Sequence, residues 1–154
     1  MKLLFLHGWR AVPGGVKPQY LAQHGHEVLN PALPDDDFVA AVAIAREVCE
    51  RTKPDVVIGS SRGGAVAMCL ADLGVRLVLL CPAWKLCGVR HPVRSDTLIL
   101  HSPVDEVIPF ADSRELAALS GLPATALVLT GSDHRLADPS SLQRMLEACT
   151  RPSH

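Results

Sequence analysis

The chain has 154 residues, of which 48% are hydrophobic and 20% are charged, and its formal net charge is −1. This length suits one domain with a proper hydrophobic core, and the lack of a basic excess argues against nucleic-acid binding. No apolar run approaches the ~20 residues of a membrane-spanning helix. We therefore predict one domain over residues 1–154, with no nucleic-acid or membrane partner.

Two further features bear on the cellular compartment. The five cysteines form no C-x-x-C pair, and their odd number argues against a disulfide framework. The apolar run after Lys2 is ended early by His7 and Gly8, whereas a signal peptide needs a longer hydrophobic region. These features predict a cytoplasmic protein.

Short apolar runs alternate with longer amphipathic ones along the chain, a pattern typical of βα units. The predicted strands, in chain order, cover residues 2–7, 26–30, 55–59, 76–81, 97–101 and 126–130. Most are unbroken blocks of Leu, Val and Ile, as expected for strands covered by helices on both faces. The predicted fold class is therefore α/β: a three-layer α/β/α sandwich with a mostly parallel sheet of these six strands.

Helices are predicted between the strands. A helix at 38–51 follows three aspartates, whose carboxylates suit the positive end of a helix. Residues 64–70 are helix-like, 112–120 form a short helix ended by Gly121, and residues 142–149 show the spacing of one packed helix face. Residues 82–95 break the alternation. We interpret them as a crossover connection with a one-turn helix. The alternative is a flap beside the active site, with Trp84 as a wall of an acyl pocket.

The segment from Gly59 to Gly63 matches the pattern G-x-S-x-G. It lies where a predicted strand gives way to a helix-like run, which is the context of a nucleophile elbow, a sharp turn that projects a serine hydroxyl. The two glycines remove Cβ atoms that would clash in this turn. Ser60 would need glycine at positions 58 and 62, which hold isoleucine and arginine, so Ser61 is the candidate nucleophile.

A serine hydroxyl needs a base, and in this kind of sheet the base is a histidine in a loop after a late strand. His134 directly follows the last predicted strand, which makes it the candidate base. The other histidines fit less well, because they lie before the acid candidate, near the first strands, in the irregular stretch or at the end of the sequence: His101, His7, His24, His26, His91 and His154.

The base needs a carboxylate that orients its imidazole, at the end of the preceding strand. Asp105 lies four residues past that strand end and is the candidate acid, with Glu106 as the neighbouring alternative. Asp133 is adjacent to His134, but adjacent side chains in an extended loop tend to point apart, so we interpret Asp133 as a turn former or cap. The resulting order of serine, aspartate and histidine is known in one class of α/β enzymes.

Two backbone N–H groups should stabilise the oxyanion of an acyl-transfer intermediate. One is expected from Arg62, which follows the nucleophile at the start of a helix whose dipole favours negative charge. The second is expected from the loop after the first strand. Gly8 permits a close approach of the backbone there, and Trp9 is the favoured donor.

Four segments at predicted strand ends, spread over nearly the whole chain, together resemble the α/β-hydrolase superfamily. They are Leu6-His7-Gly8-Trp9 (the H-G oxyanion strand end), Gly59-Ser60-Ser61-Arg62-Gly63-Gly64 (the elbow), Asp105-Glu106-Val107-Ile108-Pro109 (the D-x-x-V-P acid loop) and Gly131-Ser132-Asp133-His134 (the histidine loop). The chain is similar to the small, lidless, single-domain esterase-like members. The resemblance implies a nucleophile at Ser61, a base at His134, an acid at Asp105 and backbone donors at Trp9 and Arg62, with no metal or organic cofactor.

The chain departs from the family pattern in three respects. The family's first antiparallel strands are not expected, because the first predicted strand already leads to the oxyanion loop. A lid is nearly absent, which implies an open site and small or exposed substrates. Arg62 replaces the usual apolar or neutral residue after the nucleophile. It is either a surface arginine paired to a carboxylate, for example one of the aspartates at 35–37, or a group that recognises an anion on the substrate. Arg10, beside Trp9, could add to such an anion site.

The sequence therefore predicts a serine hydrolase that cleaves a small-molecule carboxylic ester through an acyl-enzyme on Ser61. A thioesterase and an amide or peptide hydrolase are alternatives with the same mechanism. A non-catalytic protein-interaction module on a hydrolase scaffold is a further alternative, although such proteins often lose a triad member. A nucleotide-binding protein is disfavoured, because no G-x-G-x-x-G follows the first strand.

Overall fold

The computed structural model describes residues 1–152, and within them six β-strands alternate with five α-helices. The strands are β1 (Lys2–Leu6), β2 (Glu27–Leu29), β3 (Val56–Ser60), β4 (Arg76–Leu80), β5 (Leu98–His101) and β6 (Leu127–Leu129). The helices are α1 (Val16–Gln23), α2 (Phe38–Thr52), α3 (Arg62–Met68), α4 (Phe110–Leu119) and α5 (Pro139–Thr150).

The strands form one parallel sheet in the order β2-β1-β3-β4-β5-β6. The chain starts at β1, adds β2 on one side, and then crosses to β3 on the other side of β1. The strand order therefore reverses between β1 and β3, and open α/β sheets bind ligands at the carboxyl ends of the strands at such a point. Leu6 at the end of β1 pairs with Gly59 of β3, so the loops after these strands emerge side by side.

Both faces of the sheet are covered, which is why the strands are apolar throughout. Along β1, Leu3 and Phe5 pack on one face with residues of α1 and α5. Leu4 and Leu6 pack on the other face with residues of α2, α3 and α4. The architecture is therefore the predicted three-layer α/β/α sandwich.

The two longest helices begin at aspartates that cap the free N–H groups of the first turn. Asp37 at α2 and Asp138 at α5 each accept a hydrogen bond from the main-chain N–H three residues on. The other end of α5 is stabilised by the buried guanidinium of Arg76 on β4. It donates to three carbonyl oxygens, those of Ala148, Cys149 and Arg151. A cation at this position also opposes the negative end of the helix dipole.

All six predicted strands are present, each with ends that differ by no more than one residue from the prediction. The prediction of α2 is also confirmed, whereas α1 was not predicted. Pro18 lies in the first turn of α1, and apart from Leu21 it is the only buried residue of that helix, so the sequence there has little amphipathic pattern. No helix among the described residues is both long enough and apolar enough to cross a membrane.

Residues 82–95, which connect β4 to β5, form one helical turn and a loop. The turn ends at Gly88, which has a φ of 71°. There the N–H of Val89 donates to the carbonyl oxygen of Trp84 and the N–H of Gly88 to that of Lys85, a common way to end a helix. Val89 and Val93 are buried in the core. The segment is therefore a crossover connection packed on the sheet, as the favoured interpretation has it.

Candidate active site

Ser61 lies in the turn from β3 to α3, with φ 55° and ψ −116°, which is a strained backbone conformation for a residue with a side chain. Glycines make the turn possible. A Cβ at Gly59 would overlap the carbonyl oxygen of Gly63, and a Cβ at Gly63 would overlap the carbonyl oxygen of Leu6. The N–H of Ser61 donates to the carbonyl oxygen of Leu80 at 2.9 Å, which fixes the turn on β4. This geometry is that of a nucleophile elbow.

Three side chains predicted from the sequence meet in one hydrogen-bonded chain. The Nε2 atom of His134 lies 3.0 Å from Oγ of Ser61, and its Nδ1 atom lies 2.8 Å from Oδ2 of Asp105. An ionised carboxylate only accepts hydrogen bonds, so Nδ1 carries the proton and Nε2 faces the hydroxyl as an acceptor. This arrangement can move the serine proton to the imidazole while the carboxylate stabilises the positive charge that forms.

The side chain of Asp105 is fully buried. Its Oδ1 atom accepts hydrogen bonds from the N–H groups of Val107 and Ile108, both at 2.8 Å, and Oδ2 accepts from His134. Burial by itself raises the pKa of Asp105, but these three hydrogen bonds outweigh burial and bring the pKa below its ordinary value. The carboxylate is therefore ionised at neutral pH and fixed in orientation.

His101, at the end of β5, lies fully buried behind Asp105, with Nε2 3.1 Å from Oδ2 of the carboxylate. The same Nε2 lies 3.0 Å from the carbonyl oxygen of Ile108, and Nδ1 lies 2.7 Å from Oγ of Ser113. A carbonyl oxygen can only accept, so Nε2 carries the proton and Nδ1 accepts from the hydroxyl. Burial lowers the pKa of His101, so the ring is neutral. His101 is thus a neutral support of the carboxylate and does not contact the serine.

The backbone N–H groups of Trp9 and Arg62 donate to no protein acceptor within residues 1–152. The loop that carries Trp9 passes directly beside the serine: a Cβ added at Gly8 would lie only 3.4 Å from Cβ of Ser61. His7 fixes this loop. Its Nε2 accepts from the N–H of Leu33 at 3.0 Å, so its Nδ1 carries the proton and donates to the carbonyl oxygen of Gly8 at 2.9 Å. Among the residues described, two N–H groups without a protein acceptor thus belong to the loop beside Ser61 and to the residue that follows Ser61.

A cleft of about 410 Å³ opens at Ser61 and His134, a volume typical of small-molecule sites. Its walls include four apolar side chains that are more than half exposed: Trp9, Val12, Val16 and Val107. Exposed apolar surface around reactive polar groups is typical of a ligand site. Within residues 1–152 the cleft also has two cationic lining residues, Lys17 and Arg135. Sequence reasoning missed both. The available signal was position, since Lys17 follows the oxyanion loop and Arg135 follows the base.

The structure places Trp84 away from this cleft. Its side chain is 2% exposed and packs in the core on the α4 face of the sheet. The indole N–H donates to the carbonyl oxygen of Asp112 at 3.0 Å. The interpretation of Trp84 as a wall of an acyl pocket is therefore wrong, and its role is to pack the crossover onto the sheet.

The side chain of Arg62 is also not where the sequence placed it. It is 8% exposed rather than on the surface. Its Nη2 donates to the carbonyl oxygen of Pro34 at 2.8 Å, and the guanidinium lies 5.6 Å from the ring centre of Phe38. Among the described residues it pairs with no carboxylate and does not line the cleft. Arg10 is exposed and lies over the ring of Trp9 at 4.2 Å, outside the lining of the cleft.

The alternatives for the acid lie elsewhere. Glu106 is exposed, and no hydrogen bond joins it to His134 among the described residues. The Oδ1 atom of Asp133 accepts from the N–H of Leu136 at 3.1 Å, so Asp133 forms a turn.

Within residues 1–152, one group of side chains has a spacing that could hold a metal ion, namely Cys81, Asp105 and His134. Burial raises the pKa of Cys81 to about 12, and its thiol donates to the carbonyl oxygen of His134 at 3.2 Å. A protonated thiol is a poor metal ligand, and Nδ1 of His134 is already bonded to Asp105. These atoms therefore support the histidine loop and do not fit a metal.

A sequence model of the Alpha/beta hydrolase family matches residues 3–153, nearly the whole chain. The chain belongs to the α/β hydrolase family. The match includes all four segments at the strand ends, and it supports hydrolase activity for this chain. Among curated protein sequences, none matches this α/β hydrolase significantly.

Solved structures share the fold at low sequence identity. A Xanthomonas campestris pv. campestris protein assigned to the hydrolases of the alpha/beta superfamily superimposes with a TM-score of 0.74 at 23% identity, over 96% of this chain and 95% of its own. Est1E from Butyrivibrio proteoclasticus, solved with ferulic acid bound, gives 0.75 at 14% identity, over 96% and 86%. Mouse alpha/beta hydrolase domain-containing protein 10 gives 0.68 at 15% identity, over 94% and 86%. These likenesses establish the fold.

Proposed function

We propose that this α/β hydrolase is a serine hydrolase that cleaves small or exposed carboxylic esters through an acyl-enzyme on Ser61. The observation that carries the proposal is the hydrogen-bonded chain from Ser61 through His134 to Asp105, at 3.0 and 2.8 Å, at the edge of an apolar cleft. The same chemistry extends to thioesters, which are included in the test below.

In the proposed reaction, Nε2 of His134 takes the proton of Ser61 as Oγ attacks the ester carbonyl carbon. The carbonyl oxygen becomes an oxyanion, and the N–H groups of Trp9 and Arg62 bind it. Each such donor is typically worth ~3 kcal/mol of transition-state stabilisation. His134 then gives the proton to the alcohol oxygen as the bond between the carbonyl carbon and this oxygen breaks. The acyl group remains bound to Oγ of Ser61 as an ester.

Water completes the cycle. His134 takes a proton from a water molecule as the water oxygen attacks the carbonyl carbon of the acyl-enzyme. The proton then passes to Oγ of Ser61 as the carboxylic acid leaves. Asp105 is ionised throughout and stabilises the imidazolium in both halves of the reaction. Its lowered pKa serves this role.

The first test is labelling with a fluorophosphonate probe, with the adduct located by mass spectrometry. We expect an adduct on Ser61 in the wild type, no adduct there in Ser61→Ala, and a strongly slowed reaction in His134→Ala. Ser60→Ala is the matched control, since it removes the adjacent hydroxyl and should still label at position 61. Hydrolysis of acetyl and butanoyl esters and thioesters should fall about 10⁴-fold or more in Ser61→Ala.

A well-folded wild-type protein that neither labels nor cleaves any of these substrates would refute the proposal. In that case the non-catalytic interaction module becomes the leading hypothesis. Preferential cleavage of thioesters over esters would keep the mechanism and change the substrate class.

A further inference from the structure

The cleft beside Ser61 carries an uncompensated positive charge. Its two charged lining residues are Lys17 and Arg135, and no acidic side chain of residues 1–152 lines it. Neither cation has a hydrogen bond or an ion pair within the described chain, in contrast to Arg46, Lys85 and Arg94, which are each paired to a carboxylate.

The two cations come from different elements of the chain. Lys17 is the second residue of α1, and Arg135 follows His134 in the loop after β6. Both line the same cleft as Ser61 and His134, so a substrate bound there is within reach of either cation. The exposed apolar residues Val12 and Val16 are next to Lys17 on the same wall.

Lys17 is half-buried, and an ammonium in such a place normally has a partner. Burial is the main cause that lowers the pKa of Lys17, against an opposite effect of Cys81. The positive charge of Arg135 lowers the pKa further, and the Asp133 carboxylate opposes this with a smaller effect. Asp133 is exposed and already accepts the N–H of Leu136. The charge of Lys17 is thus partly desolvated and lacks a bound carboxylate, a situation that an anionic ligand would relieve.

We propose that Lys17 and Arg135 form an anion subsite, and that the preferred substrates are esters with an apolar body and a second, ionised group such as a carboxylate. The proposal rests on the proposed ester hydrolysis at Ser61 and specifies its substrate class. Anion recognition is thereby assigned to Lys17 and Arg135. The sequence had suggested Arg62 for this role, but its guanidinium is buried outside the cleft.

The test compares esters that differ only in charge. One pair places the anion on the acyl side: the mono-4-nitrophenyl ester of glutaric acid against 4-nitrophenyl pentanoate. A second pair places it on the alcohol side: 4-acetoxybenzoate against 4-methylphenyl acetate. The readout is the ratio of kcat/KM for the anionic and the neutral ester of each pair, which cancels any change in the common chemical step.

We expect the ratio of at least one pair to fall about tenfold, or about 1.4 kcal/mol, in Lys17→Met, because this variant removes a charged hydrogen-bond donor from the subsite. Arg135→Gln should lower the same ratio, and Lys17→Glu should lower it further than Lys17→Met. Arg90→Gln is the matched control, because Arg90 is exposed in the crossover and outside the cleft. It removes one positive charge and should leave the ratio unchanged.

A second measurement needs no turnover. Glutarate should slow the labelling of Ser61 by a neutral fluorophosphonate in the wild type, and this protection should be lost in Lys17→Met. Labelling of Lys17→Met in the absence of glutarate shows that its elbow is intact.

Ratios and protection that are unaltered in Lys17→Met and Arg135→Gln would overturn the anion subsite while ester cleavage stands. If no ester is cleaved and Ser61 is not labelled, the proposed function itself fails, and the subsite as a substrate site fails with it.

Discussion

Three histidines in and around the cleft each hold a single tautomer, because a group of fixed polarity contacts one ring nitrogen. An N–H of the main chain donates to Nε2 of His7, a main-chain carbonyl contacts Nε2 of His101, and a carboxylate contacts Nδ1 of His134. The first histidine fixes the loop that carries Trp9, and the second contacts the carboxylate of Asp105. Only the third has a nitrogen free to receive a proton from Ser61.

The buried His101 leads to a prediction about acid stability. A histidine in the unfolded chain has a pKa near 6.5, and burial lowers the pKa of His101 in the folded protein. As the pH falls below about 6.5, the unfolded chain binds a proton that the folded protein does not, so the free energy of unfolding decreases. The slope reaches at most ~1.4 kcal/mol per pH unit for this one group.

Urea unfolding between about pH 7.5 and pH 5 measures this effect. His101→Gln lacks the titration and should lose less stability than the wild type over the same range. Parallel profiles for the two proteins would contradict the prediction. The lowered pKa of Asp105 adds a second loss, which begins only as the pH falls below about 3.9.

The sequence was sufficient to find the side chains that meet at the elbow, because each one follows a strand in a parallel sheet and parallel strands end at one edge. It was not sufficient to place Trp84 and Arg62. A tryptophan and an arginine next to strand ends could face either solvent or the core. The partners that decide the matter, Asp112 and Pro34, are 28 residues away along the chain in both cases.

At the scale of elements, the elbow is a contact of backbone with backbone. Gly63 in α3 packs against the carbonyl group of Leu6 at the end of β1, and Gly59 in β3 packs against Gly63 and Gly64 of α3. No side chain lies between these elements to absorb an added methyl group. The strand that leads to Trp9 and the helix that begins at Arg62 are therefore held at one fixed separation.

Gly63→Ala should destabilise the fold by at least ~3 kcal/mol, because the new Cβ overlaps main-chain atoms that cannot rotate away. Gly15→Ala is the matched control. A Cβ at Gly15 meets no atom within 4 Å, and its φ is −68°, so the expected cost is less than ~1 kcal/mol. Urea unfolding monitored by circular dichroism compares the two variants. Similar midpoints would show that the elbow tolerates a larger separation than the structure indicates.

Elements with a strong pattern were predictable and those without one were not. The strands are apolar blocks, and α2 buries residues spaced by helical turns, namely Ala41, Ala45, Val48 and Cys49. By contrast, α1 has eight residues, of which only Pro18 and Leu21 are buried. Packing against the sheet therefore stabilises this helix, and the local sequence has no amphipathic pattern that would predict it.

At the scale of the whole molecule, the apolar layers on the two faces of the sheet contain all five thiol groups. Cys49, Cys81 and Cys149 are buried, and Cys69 and Cys87 are half-buried. Burial raises the pKa of all five thiols, to about 12 for Cys81 and Cys149. Thiolates, the reactive form, are therefore scarce in the folded protein.

A colorimetric thiol reagent at about pH 8 should react quickly with at most the two half-buried cysteines of the native protein. In denaturant, all five should react, with or without prior reduction. Fewer than five without reductant would reveal a disulfide, and five fast-reacting thiols in buffer would contradict the packing of the two layers.

The loop from β1 to α1 bears on which substitutions this protein can tolerate. Gly15 has open space where a side chain would be, with no atom within 4 Å, whereas Gly14 has a φ of 84° that favours glycine. Val12, Val16 and Lys17 of the same stretch line the cleft. The elbow, by contrast, is confined on every side by main-chain atoms. Substitutions in this loop are therefore expected to alter substrate choice, whereas substitutions in the elbow are expected to alter the chemical step. A library that varies residues 11–13 and 15–17 and keeps Gly14 should explore new substrates without disturbing turnover, and divergence between species should concentrate in the same six positions.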